Sequence, residues 1–248
     1  MFISPVQTYN PAYRGNNREV FNKSGKFLYK TTTYFFREDL NWTCLAELLG
    51  EKYKTVQKVN VLNHACSNGQ EPYTLAVKLI QILGKEAKKF FPIQAKDIDF
   101  DNKEINVYKS VYHKRGRLGI KLNEMYRINH YTKNQLTSFF TLGKPANPNN
   151  DLVLIPKENI KSKVNFSQAD ILKDTSEKLP DNTVILCRNF WPYLTPAERE
   201  QLASNLYQNI GDNSLIITGD FDYRSNTPDL LKSRGFVEIG MNNVYIKR

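Results

Sequence analysis

Short apolar runs alternate with amphipathic stretches along most of this chain. Val59-Asn60-Val61-Leu62 has the character of a buried strand, and after it Leu75, Ala76, Leu79, Ile80 and Leu83 recur at helical spacing. The pattern predicts strands at 59–63, 92–97, 164–169, 183–188 and 213–219, and helices at 71–84, 101–108 and 195–210. Upstream, Leu40, Cys44, Leu45, Leu48 and Leu49 share one face, which predicts a further helix between Asp39 and Tyr53. Strands alternating with helices are the mark of a doubly wound, mostly parallel α/β sheet. The last two apolar runs, Val237-Glu238-Ile239 and Asn243-Val244-Tyr245-Ile246, lie too close for a crossover helix. They are expected to pair as a hairpin that adds an antiparallel strand at the sheet edge.

The rhythm breaks between 111 and 160, where the polar stretch Gly143 to Asn150 reads as a loop. A departure this long is rarely structureless in a compact domain, so 111–160 is expected to be a small inserted subdomain with a short helix near 122–128 and a hairpin around 153–155. Residues 1–29, rich in Asn, Gly, Ser and basic side chains without helical period, are expected to be an arm, leaving 30–248 as the main domain.

Composition narrows the class. In 248 residues, 40% hydrophobic and 24% charged content is that of an ordinary globular protein with a sizeable core. The opening Met1-Phe2-Ile3-Ser4-Pro5 lacks a basic leader with an apolar core, and no apolar run nears the ~18 residues of a spanning helix, so a cytoplasmic location without membrane insertion is expected. Cys44, Cys66 and Cys187 show no CxxC spacing and His64, His113 and His130 stand apart, so no disulfide framework or metal site is expected. The net charge of +10 comes from scattered lysines and arginines, densest at His113-Lys114-Arg115-Gly116-Arg117. That distribution suits an acidic protein partner and carries no nucleic-acid-binding module.

The candidate chemistry centres on Ala65-Cys66-Ser67-Asn68-Gly69-Gln70-Glu71-Pro72-Tyr73, which joins a predicted strand to a predicted helix through small residues. Small side chains let a ligand approach the backbone, and Pro72 falls in the first helical turn, where no N–H donor is needed. Tight strand-to-helix turns also favour small residues for packing alone. Twenty-six residues after Glu71, Gln94-Ala95-Lys96-Asp97-Ile98-Asp99 ends a second strand in carboxylates, at the spacing where nucleotide-binding α/β domains place a ribose-binding acid.

Two further stretches, Thr31-Thr32-Thr33-Tyr34-Phe35-Phe36-Arg37-Glu38 and Cys187-Arg188-Asn189-Phe190-Trp191-Pro192-Tyr193, complete a set that resembles the CheR-type chemotaxis protein-glutamate methyltransferases. The resemblance runs from about Lys30 to the closing Asn243-Val244-Tyr245. It implies a Rossmann-like, seven-stranded class I fold, S-adenosylmethionine as cofactor with S-adenosylhomocysteine as product, and a protein glutamate, chemoreceptor-like, as acceptor. It further implies that Arg37 and Tyr193 act at the reacting centre. Thr31, Thr33, Arg37, Ala65, Glu71, Asp97, Asp170, Ile171, Arg188 and Asn189 would hold the cofactor, with Glu71 at its methionyl end and Asp97 on its ribose. Family members usually carry a helical domain ahead of the Thr-Phe-Phe-Arg motif, and residues 1–29 are too few to build it, so substrate recognition is expected to fall on the basic Lys114-Arg115-Arg117 loop, the inserted 111–160 region and the short basic arm.

Other uses of the same residues stay open at this level. Arg37 could form an ion pair with Glu38 or Asp39, Glu71 could be a favourable charge at a helix start, and Tyr193 a half-buried aromatic. His64, without a partner at ligand spacing, reads as a packed histidine. The same fold could methylate a small molecule or another protein group, or bind the cofactor as a signalling module.

Overall fold

Strands buried on both faces need two covering layers, and this requirement organises the chain. The computed structural model describes residues 35–37, 39–67, 69–98, 137–143 and 153–248. The arm at 1–29, the helices expected at 101–108 and 122–128, and the basic loop 113–117 lie outside the described residues.

The first described helix, α1 (Trp42–Lys52), starts at Asn41, whose side chain accepts the amide of Cys44. It precedes β1 (Asn60–His64), α2 (Gln70–Leu83) and β2 (Ile93–Asp97). Then come β3 (Phe140–Gly143), β4 (Val153–Pro156), α3 (Glu158–Lys161), β5 (Val164–Gln168), α4 (Ile171–Asp174) and β6 (Thr183–Cys187). The chain continues through α5 (Pro196–Asn209), β7 (Leu215–Ile217), α6 (Thr227–Ser233), β8 (Phe236–Glu238) and β9 (Val244–Lys247).

Seven of these strands form one sheet in the order β5-β2-β1-β6-β7-β9-β8. Pairing is parallel from β5 through β7, and β9 runs antiparallel to both β7 and β8. The expected hairpin is present, but its antiparallel strand lies one place in from the edge, which belongs to β8. Burial explains the choice: Val244 and Tyr245 of β9 are buried, whereas Val237 and Glu238 of β8 are only partly covered.

The fully buried β6 shows how the two layers share one strand. Val184 and Leu186 join a core with Leu45 and Leu49 of α1 and Leu75 and Leu79 of α2. Ile185 and Cys187 point into a second core with Leu202 and Leu206 of α5 and Leu231 of α6. A continuous apolar run, without alternation, is what such a strand requires. Chain order reverses between β1 and β6, so the carboxyl ends of these neighbours open the crevice in which sheets of this kind bind ligands.

The inserted region is described only in part. There β3 and β4 pair antiparallel, with Phe140 opposite Pro156 and Thr141 opposite Ile155, which places a hairpin where one was expected. Phe140 is buried and meets the ring of Phe35 edge-on at 5.1 Å and that of Phe36 at 6.4 Å. The insertion therefore braces the wall that carries Arg37. Three short helices, α3, α4 and α6, escape prediction because one or two turns give too few positions for a period to register.

Helix α5 has the most complete start signal. Thr195 accepts the amide of Glu198 at 3.2 Å, Glu198 accepts the amide of Thr195 at 2.7 Å, and Pro196 opens the first turn. Thr195→Ala removes one half of this reciprocal cap and is expected to lower unfolding free energy by about 1 kcal/mol. Urea denaturation, with an unchanged slope, is the measurement that checks it.

Candidate functional site

The crevice is built from three backbone devices. After β1, Ala65 and Ser67 adopt positive φ angles of 54° and 47°, and Gly69, at 82°, leads into α2. Glycine takes such a conformation at low cost, whereas at Ala65 and Ser67 it is unfavourable and has to be sustained by the surrounding turn. A Cβ at Gly69 would also meet the Phe166 ring at 2.9 Å. On the facing side, Asn189 after β6 is left-handed at 61°, and at the wall Phe36 is left-handed at 53°. Phe36 is kept there by its amide bond to the Thr74 hydroxyl at 3.0 Å and by burial of its ring. Phe36, Ala65 and Ser67, the described left-handed residues that are neither glycine nor asparagine, all border this crevice, and strain of that kind is found at functional sites.

A chain of charges runs across the crevice. Arg188 is fully buried, and its guanidinium donates to Glu71 at 2.6 Å, to Asp39 at 2.7 Å and through Nε to the Thr218 carbonyl at 3.3 Å. Its face lies 4.9 Å from the Trp42 ring. Asp39 in turn accepts from Asn189 Nδ2 at 2.9 Å and pairs with Arg37 Nε at 3.3 Å. Glu71 also accepts from Asn63 Nδ2 at 2.7 Å.

The titrations follow from this wiring. Burial alone would raise the Asp39 carboxyl, but Arg188, Arg37 and the hydrogen bonds from Asn189 and Arg188 hold it below its ordinary 3.8. At Glu71 burial dominates and pushes the carboxyl up, against the pull of Arg188 and Asn63. Burial also works against the charge of Arg188, but Glu71 and Asp39 more than offset it and keep the guanidinium protonated. His64 is 1% exposed, 3.6 Å from Asp174, and burial pushes it down to about 4, so it is neutral at pH 7 and packed beneath the crevice.

Most of the candidate residues that fall among the described residues lie at this edge of the sheet. Arg37, Ala65, Glu71, Arg188 and Asn189 surround the charge chain. Asp97, at the end of β2, accepts the Ser67 amide at 2.7 Å and so touches the same turn. Asp170 caps α4 through the Leu172 amide at 2.9 Å, and Ile171 behind it is buried. Tyr193 is half-buried, with its ring 5.9 Å from Phe221. Thr31 and Thr33 lie outside the described residues.

Two acidic residues belong to the site that the candidate set omits. Asp39 appears in sequence only as a possible ion-pair partner of Arg37, yet it joins both arginines and Asn189. Asp222 sits fully buried behind Asn189, and its only sequence signal is a polar Gly219-Asp220-Phe221-Asp222 turn after a strand.

Residues 31–236 match the family model described as CheR methyltransferase, SAM binding domain. A chemotaxis protein methyltransferase of Salmonella typhimurium is 26% identical over 204 residues, covering 82% of this chain and 64% of that protein. Chemotaxis protein methyltransferase 1 of Vibrio cholerae is 22% identical over 207 residues, covering 83% and 69%. Chemotaxis protein methyltransferase 2 of Pseudomonas aeruginosa is 24% identical over 209 residues, covering 82% and 67%. The matched part of the chain thus spans about two thirds of the length of these relatives.

Asp39→Asn keeps the shape but removes one of the two anions facing Arg188, and is expected to cost about 2 kcal/mol at pH 7. Because folding depresses the Asp39 carboxyl, the unfolded chain takes up its proton first as pH falls. The stabilisation is therefore complete above about pH 4 and lost as pH drops through the folded value. Urea melts at pH 7 and near pH 3 should show the gap between parent and variant closing; a constant gap would assign the loss to packing.

Proposed function

The chain belongs to the CheR methyltransferase family through its SAM-binding domain, and we propose that it transfers a methyl group from S-adenosylmethionine to a glutamate side chain of a protein. The observation that carries this reading is the position of Arg37, on a wall of packed phenylalanine rings and linked through Asp39 to the clamp at the carboxyl end of β6.

The residues present fit the cofactor. The turn of Ala65, Ser67 and Gly69 carries only small side chains, and Glu71 and Asp97 flank it with carboxylates. In this reading Glu71 takes the ammonium of the methionyl end and Asp97 accepts from the ribose hydroxyls. Asp170 and Ile171 border the adenine, Ala65 lets it approach, and Thr31 and Thr33 close the outer side. Asn189 contributes from the loop after β6. Arg188, with its guanidinium already engaged on three sides, acts as the floor that fixes Glu71 and Asp39. When bound, S-adenosylmethionine supplies a methyl group activated by its sulfonium.

The protein's remaining work is positioning. A glutamate is ionised near pH 7, so no strong base is needed. Arg37 holds the acceptor carboxylate in a forked geometry, the Tyr193 hydroxyl orients it, and the aromatic wall excludes water. With a net charge of +10, the acceptor protein is an acidic one, chemoreceptor-like in the terms of the family.

Incubating the protein with a cell lysate and radiolabelled cofactor is expected to yield label on protein that mild alkali releases as methanol, because carboxyl methyl esters hydrolyse there. Alkali-stable label would overturn the glutamate assignment in favour of an N-methyl product, and label confined to small molecules would move the acceptor out of the protein class.

The two residues assigned to the reacting centre have their own signature. Arg37→Ala should depress turnover on the order of a hundredfold, and Tyr193→Phe roughly tenfold, with much smaller changes in S-adenosylhomocysteine affinity by calorimetry. Equal losses in binding and rate would make them cofactor holders only.

A further inference from the structure

We propose that Asp222 is a positioning residue for the cofactor site: it holds the loop after β6 so that Asn189 and Tyr193 face the crevice. The inference rests on the cofactor reading above. Asp222 is fully buried, and both of its oxygens are used. Its Oδ2 accepts the amides of Asn189 and Gly219, each at 2.8 Å, and its Oδ1 accepts the amide of Trp191 at 3.1 Å. Those three amides come from the turns that follow β6 and β7, two neighbouring strands whose ends form one wall of the crevice.

The two turns interlock. While Asp222 takes the Asn189 amide, Asn189 Oδ1 takes the Phe221 amide at 3.1 Å. The contact is so close that a Cβ on Gly219 would stand 2.4 Å from Asn189 Oδ1. Asn189 is left-handed, a conformation that local hydrogen bonding has to sustain. The same turn reaches Tyr193, whose amide donates to Phe190 at 2.8 Å and whose ring rests 5.9 Å from Phe221.

A carboxylate suits this position better than its amide isostere. Three N–H donors converge on two acceptor oxygens, whereas an asparagine has one oxygen and would turn an NH₂ group towards a third donor. A fully buried carboxylate is an expensive way to close a turn, and burial pushes its carboxyl up to about 7 against the three amides and Arg188. Arg188 offsets part of that expense, whereas the neighbouring Cys187 and Tyr245 add no positive charge. What the residue supplies in return is a single fixed geometry for Asn189.

The test is a double-mutant cycle on S-adenosylhomocysteine binding, measured by calorimetry on the full chain. Asp222→Asn and Asn189→Ala are each expected to weaken binding roughly tenfold, and the double variant should bind no more weakly than Asn189→Ala alone. Additive losses, or parental affinity in Asp222→Asn, would reduce Asp222 to a structural residue and overturn the proposal. Should Asp222→Asn fail to fold, hydrogen exchange on the parent decides. The amides of Asn189, Gly219 and Trp191 should slow together when S-adenosylhomocysteine is added, and exchange at unchanged rates despite binding would overturn the proposal. A parent that binds no S-adenosylhomocysteine at all is a different result: it removes the cofactor reading, and this inference with it.

Discussion

A guanidinium with no exposed surface has to find its partners inside the protein, and at Arg188 that requirement joins parts of the chain that are far apart in sequence. Asp39 comes from the segment before α1, Glu71 from the first turn of α2, and the Thr218 carbonyl from the end of β7. An unpaired charge at this depth would cost several kcal/mol, so the three segments must close on Arg188 together or not at all. Closing them fixes the wall, the floor and the turn of the crevice relative to one another. The stacking of Arg188 against Trp42 adds α1 to the same assembly.

The arrangement places backbone strain around the crevice proposed for the cofactor. Phe36, Ala65, Ser67 and Asn189 are left-handed without being glycine, and each borders the crevice. Every such residue is unfavourable by itself and persists only where surroundings over-determine it. Here the surroundings are identifiable: the Thr74 hydroxyl and Phe140 ring for Phe36, and Asp222 with Asp39 for Asn189. The inserted hairpin, which is separate from the main sheet, thereby contributes to the rigidity of Arg37.

The electrostatics also fit the proposed methyl transfer to an anionic acceptor. Arg37 and Arg188 are matched by Asp39 and Glu71, so the described charge chain is internally balanced before any ligand enters. Arg37 is the more exposed of the two arginines, with a quarter of its side chain accessible. An acceptor carboxylate would thus share Arg37 with Asp39, while Arg188 keeps both of its own anions. His64, the one histidine among the described residues, is neutral and buried, in keeping with a proposed reaction that needs no strong base.

How much of this was legible without coordinates depends on whether the signal is local. The parallel strands, the long helices and the terminal hairpin follow from apolar periodicity, because burial on one face or two leaves its mark residue by residue. The small-residue turn, Asp97 and the Arg37 and Arg188-Asn189 motifs could likewise be read in order along the chain. The sequence could not show that Arg188 spends its guanidinium on Asp39 and Glu71, that Asp222 closes the loop behind Asn189, or that Phe140 braces the wall. Nor could it place β9 inside the edge. The side-chain pairings among these join residues from 33 to 149 positions apart, and the pairing that puts β9 against β7 joins residues 27 and 29 apart; a single sequence carries no periodic trace of either. Tertiary structure decided them because a buried charge, a converging set of amides and a half-covered strand have few arrangements that leave no polar group unpaired and no apolar face in water.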